Sequence, residues 1–340
     1  MADLTDRLWY GRGRPLWPLL PLAWLYRGIA RWRRHRLASR ARPLPVPVVV
    51  IGNITVGGTG KSPLTAWLAR HFRQQGWRPV ILSRGYGGRL PDNAPLLVSA
   101  DSNPAEAGDE PVMLAAQTGC PVVVYPRRLA AARVALEQDL GNLLLCDDGL
   151  QHYALARDLE LAVFDGARGM GNGALLPVGP LREAPGRLWS VDLVVVSGQA
   201  GGRVPEHPRR YNMELQPVSV RNLVTGETLP PQSWLAGRDC VAVAGIGNPQ
   251  RFFRQLRALG ARVEGRAFAD HHQYTEQDIV TGDERPLLMT AKDAVKIRPF
   301  AHERCWVLDV EPALPKGFGQ AVDRALERKL AARGLEQPSS

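Results

Sequence analysis

The sequence predicts an α/β fold with a mostly parallel sheet, followed by a smaller C-terminal α/β domain. The first observation is that continuous apolar, β-branched runs recur along the chain, for example at 46–51 and 193–196. Such runs are typical of strands that are buried on both faces. The second observation is that these runs alternate with segments of helical character. Alternation of this kind favours parallel strands with helices on both faces of the sheet.

The predicted elements follow one another in a regular order from residue 46. Strands are predicted at 46–51, 79–83, 121–125, 142–146, 159–164 and 193–196, and helices at 63–75, 110–117 and 127–138. After a polar connector, strands are predicted at 240–244, 262–268, 286–290 and 306–310, and helices at 249–259, 275–280 and 320–333. The chain thus divides into an N-terminal arm at 1–45, a first α/β domain at 46–202, a connector at 203–225, which forms a hairpin in one interpretation, and a second α/β domain at 226–340.

The N-terminal arm carries most of the charge of the chain. Its first 42 residues contain ten arginines and two acidic residues, and so hold +8 of the formal net charge of +10. They also contain Trp9, Trp17, Trp24 and Trp32, which fall within an arc of about 140° if the segment is one helix. The apolar stretch at 16–29 is shorter than the roughly 20 residues that cross a bilayer. We expect a helix at an anionic membrane surface; the alternative is an ordinary helix with a basic solvent side.

The charge distribution argues against a nucleic-acid-binding protein, and the cysteine spacing argues against a protein held together by disulfide bonds or zinc. A nucleic-acid-binding domain usually spreads lysine and arginine over a folded face. Here the excess lies in one arm without lysine, so we expect no nucleic-acid partner. The four cysteines are far apart and form no Cys-x-x-Cys pair, so we expect neither disulfide bonds nor a zinc site.

A glycine-rich loop lies between the first predicted strand and the first helix after it. Its residues are Thr55, Val56, Gly57, Gly58, Thr59, Gly60, Lys61 and Ser62. Backbone N–H groups and the helix N-terminus converge on phosphate oxygens in such a loop. Lys61 would reach the β- and γ-phosphates of a nucleotide, and the Ser62 hydroxyl would bind Mg²⁺. Thr55 stands where the general pattern has its first glycine, and a chance glycine-rich turn is the alternative.

Charged residues follow two further predicted strands. Asp147 and Asp148 come after the strand at 142–146, where a protein with such a loop places its metal-organising aspartate. Arg84 ends the strand at 79–83 and is a candidate for clamping phosphate. Ligands of parallel α/β sheets bind beyond the carboxyl ends of the strands, so we expect these residues to join the loop in one site. An Asp-Gly turn and a surface arginine are the alternatives.

Asp109 and His271 each allow a structural and a functional interpretation. Asp109, in Gly-Asp-Glu-Pro, has the position of a helix N-cap with Pro111 in the first turn. His271 lies in a predicted loop just before a helix start at Thr275. Asp270 beside His271 would nevertheless orient the imidazole for acid–base work.

Seven stretches of this sequence resemble, in the same order, the tetraacyldisaccharide 4'-kinase family, the lipid A 4'-kinases of Gram-negative bacteria. They are GNITVGGTGKSP (52–63), SRGYG (83–87), GDEP (108–111), DDGLQH (147–152), LPVGPLRE (176–183), DH (270–271) and TAKDAVK (290–296). The basic, Trp-rich arm is similar to the family's membrane anchor, and Thr55 is the family's form of the loop. Ala291 departs from the more frequent acidic residue, which leaves the roles of Lys292 and Asp293 open.

The resemblance implies a reaction and its location. The γ-phosphate of ATP, with Mg²⁺, would be transferred to the 4'-hydroxyl of tetraacyldisaccharide 1-phosphate to form lipid IVA, at the cytoplasmic face of the bacterial inner membrane. It implies that Asp109 accepts the hydroxyl proton, with His271 as its partner across the domain cleft and Lys61 in the catalytic set. Closure of the two domains would exclude water.

The resemblance also implies ligands for the metal and the phosphates. Ser62, Asp147 or Asp148, and Glu183 would organise Mg²⁺, whereas Arg84 and Arg128 would contact phosphate. Two alternatives remain at this point. A membrane-recruited P-loop ATPase or switch would hydrolyse ATP without lipid and be indifferent to Asp109. A soluble small-molecule kinase with a nucleic-acid-binding arm would stay off anionic vesicles.

Overall fold

The structure, a computed structural model, describes residues 4–11 and 16–337. The helices are α1 (Leu4–Trp9), α2 (Leu20–Ala38), α3 (Lys61–Gln74), α4 (Pro104–Ala107), α5 (Asp109–Thr118), α6 (Arg128–Glu137), α7 (Pro231–Leu235), α8 (Pro249–Ala258), α9 (Ala291–Ile297) and α10 (Phe318–Arg333). The strands are β1 (Val48–Gly52), β2 (Pro79–Ser83), β3 (Leu96–Val98), β4 (Val122–Val124), β5 (Leu143–Cys146), β6 (Leu159–Asp165), β7 (Leu193–Ser197), β8 (Arg210–Asn222), β9 (Thr228–Leu229), β10 (Asp239–Ala244), β11 (Arg262–Ala267), β12 (Leu287–Thr290) and β13 (Cys305–Ala313).

The predicted α/β class is confirmed, with three differences of detail. The predicted helix at 275–280 is a single 3₁₀ turn, Glu276–Ile279, which begins with a capping box of Thr275 and Asp278. The polar connector contains the long strand β8, which pairs antiparallel with β9. Its alternation of exposed and half-buried residues explains why the segment lacks the apolar run of a fully buried strand. The short elements β3, α4, α7 and α9 were not predicted.

The chain forms two compact units that are not consecutive segments. Unit 1 comprises Met1–Arg84, Cys120–Glu214 and Pro312–Ser340, and unit 2 comprises Gly85–Gly119 and Leu215–Glu311. The predicted division at 46–202 and 226–340 therefore needs correction. Segment 85–119 joins the later segment because α5 packs against α9. Helix α10 joins unit 1, where Asp323 pairs with His71 at 2.8 Å.

Unit 1 is built on a parallel sheet in the order β4-β2-β5-β1-β6-β7-β8. Every residue of β1, β2 and β5 is buried. Helix α3 connects β1 to β2 and buries Leu64, Leu68 and Phe72. Because β1, β5 and β2 are adjacent and parallel, the segments that follow them emerge at the same edge of the sheet. The glycine-rich loop, Asp147 and Arg84 follow these three strands.

Unit 2 contains four adjacent, parallel strands in the order β11, β10, β12 and β13. One face packs against Phe252, Phe253 and Leu256 of α8. The other face packs against Ala294 and Ile297 of α9, together with residues of the 271–279 segment. The second face is the one that carries the predicted residue His271.

The arm is a sequence of short elements followed by the long helix α2. The face of α2 that packs on unit 1 includes the buried Ala23 and the half-buried Tyr26, whose hydroxyl donates to the Arg182 carbonyl oxygen at 3.0 Å. Trp9 lies in α1, and its Nε1 donates to the Pro177 carbonyl oxygen at 3.2 Å. The four tryptophans therefore do not share one helix, because Trp9 lies in α1 and Trp17 precedes α2, whereas Trp24 and Trp32 lie in α2. Arg12 and Arg14 lie outside the described residues.

The opposite side of α2 presents apolar side chains to solvent. Leu22, Leu25, Ile29 and Trp32 follow the spacing of a single helical stripe, and all are more than half exposed. Trp24, which is 66% exposed, lies next to this stripe. We call these five residues the arm stripe. Within the described ranges, no helix has the length and apolar character needed to cross a membrane.

Candidate active site

The glycine-rich loop of unit 1 joins β1 to α3 with two residues in the left-handed region. Gly57 has φ +105° and Gly60 has φ +88°, so both positions favour glycine. A Cβ atom on Gly60 would lie 2.9 Å from Ser197 Oγ at the end of β7, which is closer than contact allows. The loop therefore needs glycine at this position for conformation and for space.

The segment at 180–183 holds the loop by backbone hydrogen bonds. The Val56 N–H donates to the Pro180 carbonyl oxygen at 2.9 Å, and the Arg182 N–H donates to the Ile54 carbonyl oxygen at 2.7 Å. Thr55 is buried and forms an isolated bridge with Leu181. The LPVGPLRE stretch at 176–183 therefore supports the loop, although the two are far apart in the sequence.

Lys61 and Asp148 form the charged centre of this site. Lys61 Nζ lies 3.6 Å from Asp148 Oδ1, and Arg182 Nη1 lies 3.4 Å from Asp148 Oδ2. Burial disfavours the Asp148 carboxylate, but the two cations outweigh burial and lower the pKa of Asp148. Asp148 therefore stays ionised beside the lysine of the loop. It adopts a left-handed conformation, φ +50°, which aspartate tolerates better than most residues.

Asp147 is buried and bonded to the helix that follows the loop. Its Oδ1 accepts a hydrogen bond from Thr65 Oγ1 at 2.8 Å. Thr65 lies three residues after Ser62 in α3, so both side chains lie on the same side of that helix. The structure thus brings Asp147 to the helix face that carries Ser62.

Arg128 and Glu183 are both engaged with the protein. Arg128 is buried, and its two Nη atoms donate to the carbonyl oxygens of Tyr125 and Asp147 at 2.9 and 3.2 Å. Glu183 Oε1 accepts from Gln151 Nε2 at 2.8 Å, and its Oε2 accepts from the Tyr153 hydroxyl. Arg128 therefore fixes the backbone of Asp147, and Glu183 belongs to a buried network behind the loop.

Three further polar groups of unit 1 lie within the loop or at the carboxyl ends of β2 and β7. Arg84 is exposed at the carboxyl end of β2, as its place in the sequence predicts. Thr59 Oγ1 and Ser197 Oγ are buried and have no hydrogen-bond partner among the described residues. Buried hydroxyl groups are normally bonded. Among the described residues, no group of three or more histidine, cysteine or carboxylate side chains forms a ready metal cluster.

Unit 2 brings Asp109 and His271 into contact. Asp109 is 3% exposed, and its Oδ2 lies 3.2 Å from His271 Nδ1. Asp109 is the first residue of α5 and Gly108 is the N-cap, so the predicted capping role is not what the carboxylate does. Both residues belong to one compact unit, which corrects the expectation that they meet across a domain cleft. His271 has φ +62°, an uncommon conformation that is often found at functional sites.

The SRGYG stretch packs against the imidazole of this pair. The ring of Tyr86 meets that of His271 edge-on, with a centroid separation of 5.0 Å. A Cβ atom on Gly87, which has φ +84°, would lie 3.1 Å from His271 Nδ1. Gly87 therefore lets the chain approach the imidazole at the atom that faces Asp109.

A buried lysine, Lys296 of α9, lies beside the pair. Its Nζ is 3.5 Å from Asp109 Oδ2 and 3.4 Å from Asp293 Oδ1, and its side chain is 2% exposed. The lysine also lies over the ring of Tyr274, with Nζ 5.0 Å from the centroid. Burial and the Asp293 carboxylate raise the pKa of Tyr274 well above its usual range, so the phenol donates to Asp293. Lys296 thus bridges two buried carboxylates, one of which is Asp109.

Asp293 and Lys292, whose roles the sequence left open, have different surroundings. Asp293 accepts hydrogen bonds from the Gly245 N–H at 3.1 Å and from Thr290 Oγ1 at 2.7 Å, so it organises the start of α9. Lys292 Nζ donates to Asp270 Oδ1 at 2.8 Å and lies 3.4 Å from His271 Nε2. The TAKDAVK stretch therefore supplies cations on both sides of the Asp109–His271 pair.

Unit 1 has a phosphate-binding loop on a parallel sheet, with a lysine beside an ionised aspartate. Unit 2 has a buried carboxylate–imidazole pair suited to acid–base work. These features are those of a P-loop kinase. A family model described as tetraacyldisaccharide-1-P 4'-kinase (LpxK) matches residues 15–327. This chain belongs to that family.

Known proteins of this family are similar to this chain over nearly its whole length. The tetraacyldisaccharide 4'-kinase of Dechloromonas aromatica is 49% identical over 338 residues, with 97% of this chain and 100% of the relative covered. That of Pseudomonas aeruginosa is 47% identical over 337 residues, with 97% and 99% covered. The crystal structure of LpxK from Aquifex aeolicus in complex with ATP is similar to this structure, with a TM-score of 0.78 and a sequence identity of 28%. The match covers 91% of this chain and 98% of the LpxK chain. The protein is therefore an ATP-dependent kinase that acts on a sugar hydroxyl in lipid A biosynthesis.

Proposed function

We propose that this chain transfers the γ-phosphate of ATP to the 4'-hydroxyl of tetraacyldisaccharide 1-phosphate, with Asp109 as the base. The observation that carries the proposal is the contact of a buried, helix-initial Asp109 with His271 at 3.2 Å and Lys296 at 3.5 Å. Carboxylates are rarely buried without a functional or ion-pair reason. The family's reaction requires a base for the hydroxyl proton, and Asp109 suits that role.

The phosphates of ATP are the ligand that suits the loop of unit 1. Its N–H groups and the N-terminus of α3 favour anions, and Lys61 lies at the start of that helix. Lys61 would exchange its contact with Asp148 for the β- and γ-phosphates, because a phosphate carries more negative charge than one carboxylate. The Thr59 hydroxyl, for which residues 4–11 and 16–337 provide no hydrogen-bond partner, supports a ligand that brings hydrogen-bonding groups to the loop.

The residues around Ser62 suit Mg²⁺. This ion takes oxygen ligands and usually keeps several waters, so one or two carboxylates with a hydroxyl and phosphates suffice. Ser62 and Asp147 lie on one side of α3, and Asp148 is kept ionised by its cations. When bound, Mg²⁺ would neutralise charge on the β- and γ-phosphates. Glu183 suits a role in supporting the residues around the metal and not as a direct ligand, since both its oxygens already accept hydrogen bonds.

In the proposed reaction, Asp109 takes the proton of the 4'-hydroxyl as its oxygen bonds to the γ-phosphorus. The bond between that phosphorus and the oxygen of the β-phosphate breaks, and ADP leaves with the electron pair. His271 Nδ1 and Lys296 Nζ both lie against Asp109 Oδ2 and hold the carboxylate in place. General base catalysis of this kind contributes typically 10²- to 10⁴-fold in rate.

The arm would place this kinase at the surface where its acyl-chain-bearing substrate resides. The arm stripe is a row of exposed apolar side chains flanked by arginines, as expected of a helix that lies in a membrane interface. We propose that it rests on the anionic cytoplasmic face of the inner membrane. Trp24 and Trp32, which are 66% and 60% exposed, would anchor it at the headgroup level.

The central experiment measures transfer of labelled γ-phosphate from ATP to tetraacyldisaccharide 1-phosphate in neutral detergent with Mg²⁺. We expect transfer by the wild type, and a loss of at least 10²-fold in kcat for Asp109→Asn with ATP affinity retained. Asp101→Asn, an exposed aspartate of the same unit, is the matched control. Transfer by Asp109→Asn at the control's rate would refute the base assignment. ATP hydrolysis without lipid, equal in both variants, would support an ATPase or switch instead.

Binding to vesicles tests the proposed location. The Trp24→Ser/Trp32→Ser double variant should bind vesicles containing anionic lipid at least tenfold more weakly than the wild type, because it loses two anchors of the arm stripe. Val280→Ser, which removes an apolar side chain that is 61% exposed in unit 2, is the control. Equal binding by the double variant and the control would contradict the location.

A further inference from the structure

Lys292 lies on the imidazole side of the Asp109–His271 pair. It is the second residue of α9, and Lys296 lies four positions later, on the same face of that helix. Lys296 Nζ lies 3.5 Å from Asp109 Oδ2, whereas Lys292 Nζ lies 3.4 Å from His271 Nε2. One helix face therefore supplies a cation to each member of the pair.

The start of α9 is fixed by its cap, so the position of Lys292 is well defined. Thr290 Oγ1 accepts a hydrogen bond from the Asp293 N–H at 3.2 Å, and Asp293 is buried. The first turn of a helix is unfavourable for a lysine, because the helix dipole is positive at that end. The contacts of Lys292, and not the needs of the helix, therefore account for a cation at this position.

Asp270 holds the Lys292 ammonium group beside the imidazole. Its Oδ1 accepts hydrogen bonds from Lys292 Nζ at 2.8 Å and from the His271 N–H at 3.1 Å. The same oxygen lies 3.8 Å from His271 Nε2, which is beyond hydrogen-bond distance. Asp270 therefore orients the imidazole through Lys292 and through the backbone, and not by a direct bond to the ring.

The contact with Lys292 bears on which nitrogen of His271 carries the proton. An ammonium group has only donors, so Nε2 accepts from it as an unprotonated nitrogen. A neutral imidazole then carries its hydrogen on Nδ1, which lies 3.2 Å from Asp109 Oδ2. A proton on Nε2 would face the ammonium at 3.4 Å, and two positive charges so close repel each other. Asp109 Oδ1, which takes part in neither the His271 nor the Lys296 contact, is left for the hydroxyl proton.

Resting on the proposed function, we infer that Lys292 is a positioning residue that keeps the proton of His271 on Nδ1. The imidazole then donates to Asp109 and stays without charge, so that the base is held in one geometry. Tyr86, which meets the imidazole ring edge-on, adds no charge at Nε2. The alternative is a purely structural lysine, which only pairs with Asp270.

Nitrogen NMR reads the two ring nitrogens directly. Labelling the seven histidines with ¹⁵N distinguishes protonated from unprotonated imidazole nitrogens, and His271→Asn assigns the signals of His271. At neutral pH we expect the wild type to carry a proton on Nδ1 and none on Nε2. In Lys292→Met, Nε2 should gain a proton, because the repelling ammonium is gone and Asp270 Oδ1 remains nearby. A proton on Nε2 in the wild type would overturn the inference, whether or not the variant folds.

Transfer of labelled phosphate to tetraacyldisaccharide 1-phosphate in neutral detergent measures the consequence for catalysis. Because a hydrogen bond to a charged group contributes enough for about a tenfold effect, kcat of Lys292→Met should fall about tenfold. KM for ATP should stay within about twofold, since the ground-state binding of ATP is not changed. Lys292→Arg keeps a cationic donor and should retain kcat within about threefold. Lys329→Met, which also removes a lysine from a pair with an aspartate, Asp192, is the control and should change neither constant.

The protonation of Nε2 and kcat should change together in every Lys292 variant. A loss of kcat in Lys292→Met with Nε2 still unprotonated would assign the lysine a structural role and overturn the inference. A proton on Nε2 with unchanged kcat would overturn it as well, because the position of the proton would then not matter.

The same measurements separate this inference from the proposed function. If the wild type transferred no phosphate, the proposed function would fail. The nitrogen signals of the wild type and of Lys292→Met would still decide whether Lys292 controls the proton on His271. Transfer by the wild type with a proton on Nε2 would leave the proposed function standing and refute the role of Lys292.

Discussion

Gly87→Ala tests whether the position of His271, and not merely its presence, supports catalysis. Gly87 has φ +84°, and a Cβ atom there would lie 3.1 Å from His271 Nδ1. That same nitrogen is 3.2 Å from Asp109 Oδ2. The new methyl group would therefore push the imidazole at the atom that contacts the base.

The size of the effect follows from these distances. Relief of the contact requires a shift of a few tenths of an ångström. The His271–Asp109 contact would then reach about 3.5 Å, the limit of a hydrogen bond. We expect kcat to fall at least tenfold, equivalent to about 1.4 kcal/mol, with KM for ATP unchanged. The left-handed backbone adds about 1–2 kcal/mol of lost stability for any residue with a Cβ atom.

Gly226→Ala provides the control for that backbone cost. Gly226, in the turn between β8 and β9, has φ +75°, and a Cβ atom at this position would meet nothing within 4 Å. Both variants should lose similar stability in urea unfolding, and only Gly87→Ala should lose kcat in the transfer assay. A kcat for Gly87→Ala within twofold of that for Gly226→Ala would refute the reasoning, since the imidazole position would then not matter.

Three further outcomes are expected. Lys296→Met should destabilise the protein by about 3–5 kcal/mol in urea unfolding, because it removes the cation that two buried carboxylates share; a loss no larger than that of the exposed Lys316→Met would contradict the buried bridge. Thr65→Val should weaken Mg²⁺-dependent activity about 10- to 100-fold by releasing Asp147, and unchanged dependence on Mg²⁺ would argue against Asp147 at the metal. Burial and the nearby Arg128 guanidinium lower the pKa of His152 from 6.5 to about 3 in the folded protein, so the unfolded chain binds more protons between these values and stability falls as pH falls from 6.5 toward 3. His152→Gln should flatten this dependence in unfolding measured at pH 4 to 7, and an unaltered slope would show that the imidazole is not buried as a neutral group.

The sequence by itself determined the α/β class and the glycine-rich loop. A buried strand, a run of glycines and a helix start are neighbours in the chain, so their pattern predicts their geometry without knowledge of the rest of the fold. The sequence also predicts that the loop, Asp147 and Arg84 lie at the same edge of the sheet, because the carboxyl ends of parallel strands point in one direction.

The contact between Asp109 and His271 in unit 2 joins residues that are far apart in the sequence. Asp109 and His271 are separated by 162 positions in the chain, and only the resemblance to a family joined them before the structure did. The place of 85–119 in unit 2 is a second case, since its contacts with α9 leave no periodic signal in either segment.

Only the tertiary structure decided the surroundings of that pair. Lys296 is one lysine among several in the sequence, and its burial between Asp109 and Asp293 depends on how α5, α9 and the 271–279 segment pack. The closeness of Gly87 to His271 has the same origin. Local pattern determines which backbone a segment adopts, whereas the charge and space around a side chain depend on residues that the fold brings from elsewhere.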